Sequence, residues 1–169
     1  MVRAALLAAC LATPAIAQDW QGVVRMVGDL RSADPLATYR SAAAACIAGR
    51  GNADGTALIF ESAGWAMTPD EAGLTAFQSQ HPDVYVLASE TGDFCAAFSE
   101  RHGTDDATKV LFNIVVAGFL SLDTAPGDLG CKAYALAPGI VGEITSSGND
   151  PVCDDARSSS IRITFGPAE

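Results

Sequence analysis

Apolar positions recur at helical spacing near the start of the chain, in the segment "SADPLATYRSAAAACIAG". Asp34 precedes Pro35, which is the usual order of a capping residue and a first helical residue, and Gly49 closes the pattern. The apolar side chains that share one helical face are Leu36, Tyr39, Ala43, Cys46 and Ile47. The pattern predicts a helix with Cys46 pointing inward.

Two further helices are predicted before residue 80. After an Asn/Asp/Gly turn, residues 56–62 have helical composition. In "TPDEAGLTAFQSQ", Thr68 stands as a cap, Pro69 follows, and Glu71 comes three residues after the threonine. This is the reciprocal capping pattern that begins many helices, so a third helix is predicted here.

The pattern changes after Asp83 to short apolar runs of strand-forming residues. "VYVLASE" and "FCAAFSE" flank the turn residues Thr91, Gly92 and Asp93, which predicts a hairpin. The following segment, "ATKVLFNIVVAGFL", is apolar nearly all the way round a helix, after the capping residues of "TDD" at 104–106. We therefore expect it to be the most deeply buried helix.

Three more strands are predicted after the loop "DTAPGDLG": "CKAYAL", "IVGEITSS" and "SIRITFG", with Pro138 and Gly139 in the turn between the first two. The segment "DWQGVVRMVGDL" fits either a helix or a strand. The predicted fold is α+β, with N-terminal helices plus an antiparallel sheet packed on one buried helix. Because no repeat or linker interrupts residues 18–169, they are predicted to form a single globular domain.

The first residues, "MVRAALLAACLATPAIAQDW", resemble a secretory signal. One Arg precedes an apolar run, and Ala15 and Ala17 are small where a signal peptidase cuts, so residues 1–17 are predicted to be removed. A competing interpretation makes Cys10 a lipidated N-terminus, although that cut leaves an unusually short apolar run. Export predicts a periplasmic or secreted protein.

Removal of residues 1–17 leaves four cysteines, and an even number in an exported chain predicts two disulfides. The hairpin around Pro138 and Gly139 brings the region after Ser147 back beside Cys131, where Cys153 follows. The remaining pair is then Cys46 with Cys95, which ties the helical half to the sheet.

Charge and motifs exclude several classes of function. The formal net charge is −10, so we expect no binding to nucleic acid or to an anionic membrane surface, which need clustered Lys and Arg. No later segment is predicted to span a membrane. With no C-x-x-C pair, only two histidines and no established hydrolase or nucleotide motif, no catalytic residue, metal site or cofactor is predicted.

Two local segments contain reactive or ligating residue types. "DFCAAFSERHGTDD" holds Cys95 and His102, which would suit a thiol nucleophile and its base, but Cys95 has disulfide partners available. "RGNADG" resembles a calcium loop in the spacing of Asn52 and Asp54, but Arg50 occupies the first ligand position. A turn between helices is therefore predicted.

Two functional hypotheses follow. The first is a non-catalytic binding, inhibitory or envelope-accessory module whose partner is unknown and could be an exported protein or an envelope component. The second is a small exported hydrolase or thiol enzyme that uses Cys95 or an acidic pair with His102.

Overall fold

The first part of the described chain, residues 19–62, is mainly helical. The computed structural model describes residues 19–69, 72–148 and 150–166, so the predicted signal peptide and Cys10 lie outside the described residues. Three helices come first. The segment "DWQGVVRMVGDL", whose sequence fits either a helix or a strand, is helical, and a 3-10 turn at Val27–Asp29 follows its helix. They are α1 (Trp20–Met26), α2 (Pro35–Gly49) and α3 (Ala53–Ser62).

The rest of the described chain forms a mixed region of eight strands and one helix. The strands are β1 (Ala66–Pro69), β2 (Leu74–Gln78), β3 (Val84–Ser89), β4 (Phe94–Ser99), β5 (Asp123–Ala125), β6 (Lys132–Ala137), β7 (Ile140–Thr145) and β8 (Ser159–Phe165). Helix α4 (Thr104–Gly118) follows β4. All pairings are antiparallel, in the order β1-β2-β3-β4-β8-β7-β6-β5, which confirms the predicted α+β class.

The prediction of a helix after Thr68 is wrong. Thr68 and Pro69 belong to β1, and the residues from Leu74 onward form β2. Gly73, at φ +75°, precedes β2, whose Phe77 is buried against Phe60 of α3. The pairing of β2 with β3 gives this segment a tertiary partner that outweighs its local capping pattern. Pro69 is tolerated because β1 is an edge strand.

Helix α2, rather than α4, is the most deeply buried helix. Ten of its fifteen residues are buried, including every residue from Ser41 to Ile47. Its alanines let it lie against β3 and β4 on one side and against α1 and α3 on another. In α4, by contrast, Phe112 and Val116 are more than half exposed, as is Phe119 just beyond the end of the helix. The sheet thus packs on both α2 and α4.

The sheet has an inner face toward the helices and an outer face away from them. On β3 and β4 the inner residues are buried in register, with Val86 opposite Ala97 and Ala88 opposite Cys95. Alternate residues point to the other face. The outer residues of these strands therefore include Tyr85 opposite Phe98.

Strand β5 lies in the segment predicted to be only a loop, and it pairs with β6 at the sheet edge. Within the described residues, no helix is both long enough and apolar enough to cross a lipid bilayer.

Candidate binding site

The four cysteines of the described residues form the two predicted disulfides. Cys46 of α2 is bonded to Cys95 of β4 across a Cα–Cα distance of 5.5 Å, and both residues are buried. Cys131, just before β6, is bonded to Cys153 with a Cα–Cα distance of 5.1 Å. The predicted pairing is confirmed. Two disulfides are consistent with an oxidising compartment.

Cys95 has no free thiol, so it cannot act as the thiolate nucleophile considered from the sequence. His102 lies in a turn after β4, where its Nδ1 is 3.0 Å from Oγ of Ser99. The same Oγ accepts the backbone amides of Arg101 and His102. Among the described residues, no carboxylate forms an ion pair with His102. These contacts are those of a side chain that stabilises a turn.

The segment that resembles a calcium loop is a turn between α2 and α3. Arg50 ends α2 in the left-handed conformation, and its guanidinium lies 4.6 Å from the ring centroid of Trp20. Asn52 caps α3, with its Oδ1 accepting the amide of Gly55 at 2.9 Å. The described residues contain no cluster of three or more acidic, His or Cys side chains suited to a metal ion.

The outer face of the sheet carries a pocket of about 300 Å³. Loop residues wall one side of it, namely Leu129 before β6 and Gly148 and Pro151 after β7. Its volume is at the lower end of the range of small-molecule sites. The strand residues that line it are Leu74, Tyr85, Leu87, Phe94, Phe98 and Arg162.

Two aromatic rings form the apolar part of this outer pocket. Tyr85 of β3 and Phe98 of β4 are partners across the strands, with ring centroids 4.7 Å apart and planes only 4° from parallel. The hydroxyl of Tyr85 donates to the carboxylate of Glu100 at 3.3 Å. Burial is the main cause that raises the pKa of Tyr85 to about 12, and the Glu100 charge and hydrogen bond add to it. The phenol therefore stays neutral near pH 7.

Arg162 of β8 supplies the positive charge of the outer pocket. Its guanidinium lies 5.1 Å from the ring centroid of Phe94, a cation–π contact. In the described ranges, no carboxylate lies within ion-pair distance of it. A guanidinium placed in this way has hydrogen-bond donors available for an anion.

Glu143 of β7 is opposite Arg162 in the strand register, but its carboxylate is used elsewhere. Its Oε1 accepts the backbone amides of Leu129 at 3.1 Å and Cys131 at 3.0 Å, and its side chain is buried. A Cβ on Gly127 would overlap this carboxylate, so glycine lets the loop close over it. Glu143 and the Cys131–Cys153 disulfide thus hold the loop wall of the pocket in place.

A shallower groove continues from the outer pocket along the turn between β3 and β4. It shares Leu74, Phe94 and Arg162 with the pocket and adds Glu90 and Asp93 at its rim. Hydrogen bonds from the hydroxyls of Ser89 and Thr91 hold the pKa of Asp93 below its ordinary value. The rim is therefore negatively charged around a single cationic side chain.

Sequence reasoning did not identify the residues of the outer pocket, although a signal was present. A strand covered on only one face should alternate apolar and polar residues, whereas "VYVLAS" and "FCAAFS" are apolar in both phases. Tyr85, Leu87, Phe94 and Phe98 occupy the second phase. The contribution of Arg162 depends on β8 lying beside β4, which the linear pattern does not reveal.

No protein-family model, curated protein or solved structure matches this chain.

Proposed function

We propose that the protein is a small exported binding module, periplasmic or secreted, that holds its ligand in the outer pocket and does not transform it. Support for export comes from the apolar leader of residues 1–17 and from the two disulfides. A binding function is favoured because the outer pocket combines several apolar side chains with the unpaired charge of Arg162. This is the usual composition of a ligand site.

The observation that carries the proposal is the position of Arg162. An arginine on a sheet face ordinarily reaches solvent or a carboxylate partner, but this one lies against Phe94 inside the pocket. The stacked pair of Tyr85 and Phe98 lines the same pocket. The loop wall is fastened by Glu143 and by a covalent bond, so the cavity is formed before any ligand arrives. Such pre-organisation lowers the entropy cost of binding.

Native mass spectrometry tests this proposal. The purified mature protein is incubated with a small-molecule extract of its export compartment, and we expect a non-covalent adduct. Leu87→Trp should abolish the adduct because the indole fills the pocket, whereas the matched change Met67→Trp on exposed strand β1 should preserve it. The absence of an adduct, or an adduct unaffected by Leu87→Trp, would contradict the proposal.

The same incubation examines the enzyme alternative, a hydrolase that uses an acidic pair with His102. An extract component consumed by the wild type but not by His102→Ala would support that alternative and overturn the binding proposal. Thermal melting of His102→Ala checks that the variant is folded, because the imidazole also stacks on buried Tyr39, with ring planes 5° from parallel.

A further inference from the structure

The positive charge of Arg162 indicates which chemical group of a ligand the pocket would bind. Its guanidinium has an aromatic ring on one side, and the nearest acidic residue in the strand register, Glu143, is committed to two backbone amides. A planar guanidinium forms paired hydrogen bonds with a carboxylate or a phosphate. The ligand group that complements Arg162 is therefore an oxyanion.

The surrounding charges favour a carboxylate over a phosphate. Arg162 is the only basic residue among the described residues that line the pocket and its adjoining groove, whereas Glu90 and Asp93 lie at the rim. A phosphate monoester carries up to two negative charges near neutral pH, and the rim would repel it more strongly. A single carboxylate matches one guanidinium without excess charge.

The apolar part of the pocket selects the rest of the ligand. The parallel rings of Tyr85 and Phe98 border it, and Leu87 and Leu129 add aliphatic surface. A flat apolar body placed here would lose its contact with water at about 25 cal/mol per Å² buried. The limited volume of about 300 Å³ favours a body of one or two rings over a larger ligand.

We propose that the outer pocket binds small organic acids, with the carboxylate on Arg162 and a planar apolar body beside Tyr85 and Phe98. This proposal rests on the binding function proposed above and adds the class of ligand. An amine of the same shape is rejected because it would place a cation beside Arg162.

The experiment compares two probes of similar shape and opposite charge, 2-naphthoate and 2-naphthylmethylamine. Each is titrated into isotope-labelled protein while the backbone amide signals are followed by NMR. We expect naphthoate to shift the amides of β3, β4 and β8, and to bind at least about tenfold more tightly than the amine. Equal binding of the two probes would overturn the proposal.

Substitutions of Arg162 test its role directly. Arg162→Met should remove the preference for naphthoate, and Arg162→Lys, which keeps the charge but loses the planar fork, should retain part of it. Arg25→Met removes the same charge from an exposed site on α1 and should leave both affinities unchanged. An unchanged preference in a folded Arg162→Met protein would contradict the proposed role.

The experiments distinguish a wrong ligand class from a wrong binding function. If the compartment extract gives an adduct sensitive to Leu87→Trp but naphthoate does not bind, the binding function stands and the ligand class is wrong. A peptide with a free C-terminal Phe that binds more tightly than naphthoate would likewise overturn the small-acid class. If neither the extract nor the probes bind, both proposals fail.

Discussion

Arg162 and Glu143 are neighbours across two strands, yet their charges serve different purposes. The carboxylate of Glu143 accepts hydrogen bonds from two loop amides and so holds the loop wall, whereas the guanidinium of Arg162 lines the pocket. A buried carboxylate is costly unless it is hydrogen-bonded, and the two amides meet that requirement. At this scale, one charge builds the site and the other remains available to a ligand.

Tyr85 gives a pH prediction at the residue scale. Its folded pKa is raised to about 12 from the ordinary 10.0, so the unfolded chain loses the phenolic proton first as pH rises. The contribution of Tyr85 to the free energy of unfolding is therefore complete below pH 10.0 and is lost as pH approaches about 12. Tyrosinate absorbance, wild type minus Tyr85→Phe, should show this late titration.

Glu100→Gln should lower the pKa of Tyr85, because it removes the carboxylate that disfavours the phenolate. Glu61→Gln, at an exposed position of α3, serves as the matched control and should have no effect on Tyr85. An ordinary tyrosine titration for Tyr85 in the wild type would show that the ring is not buried beside Glu100.

At the scale of elements, helices α1 and α4 approach one another closely. The amide of Asp19, just before α1, donates to the carbonyl of Gly118 at 2.9 Å. Gly22 in the middle of α1 has no space for a side chain, because a Cβ would overlap the backbone carbonyl of Ala117. Backbone atoms cannot move aside as a flexible side chain can, so this crossing depends on glycine.

Gly22→Ala should therefore destabilise the protein by about 1–3 kcal/mol, the usual cost of overpacking, despite the better helix propensity of alanine. Gly28→Ala is the matched control, since a Cβ there meets nothing within 4 Å. Urea unfolding monitored by circular dichroism measures both variants. Equal stability of the two variants would mean that α1 does not pack on α4 in this way.

The elements that the sequence predicts well are those whose local signals agree with their surroundings. Asp34 caps α2, and the hairpin of β3 and β4 has the expected limits. The capping pattern after Thr68 misleads because a local signal worth about 1 kcal/mol competes with the pairing of two strands and the burial of Phe77. Strand β5 is too short, at three residues, to produce a periodic pattern.

At the scale of the whole molecule, the two disulfides have separate tasks. Cys46–Cys95 lies in the core and joins the helical layer to the sheet, whereas Cys131–Cys153 fastens loops on the outer face. From the sequence, the hairpin at Pro138 and Gly139 predicts Cys131–Cys153, and Cys46 with Cys95 is then the remaining pair. The pocket could not be predicted from the sequence, since that site is made by β2, β3, β4, β8 and two loops that are distant in the chain.

Removing each disulfide should have a distinct effect. By loop-closure entropy, Cys46→Ala with Cys95→Ala should cost about 4 kcal/mol, and Cys131→Ala with Cys153→Ala about 3 kcal/mol. Only the second pair of substitutions should also weaken naphthoate binding, because it frees the loop wall of the pocket. Denaturant unfolding and the NMR titration measure the two quantities. Full affinity in that second variant would show that the loops need no fastening.

The position of β8 has a consequence for the order of folding. Strands β1 to β4 form one continuous meander and β5 to β7 another, and β8 joins them by pairing with both β4 and β7. Because synthesis proceeds from the N-terminus, both meanders are complete before the strand that unites them. Until residues 159–165 pair with them, β4 and β7 are edge strands with unpaired backbone groups. Such edges are prone to pair with strands of other molecules. Because β8 also carries Arg162, the pocket gains its charge only when this last pairing forms.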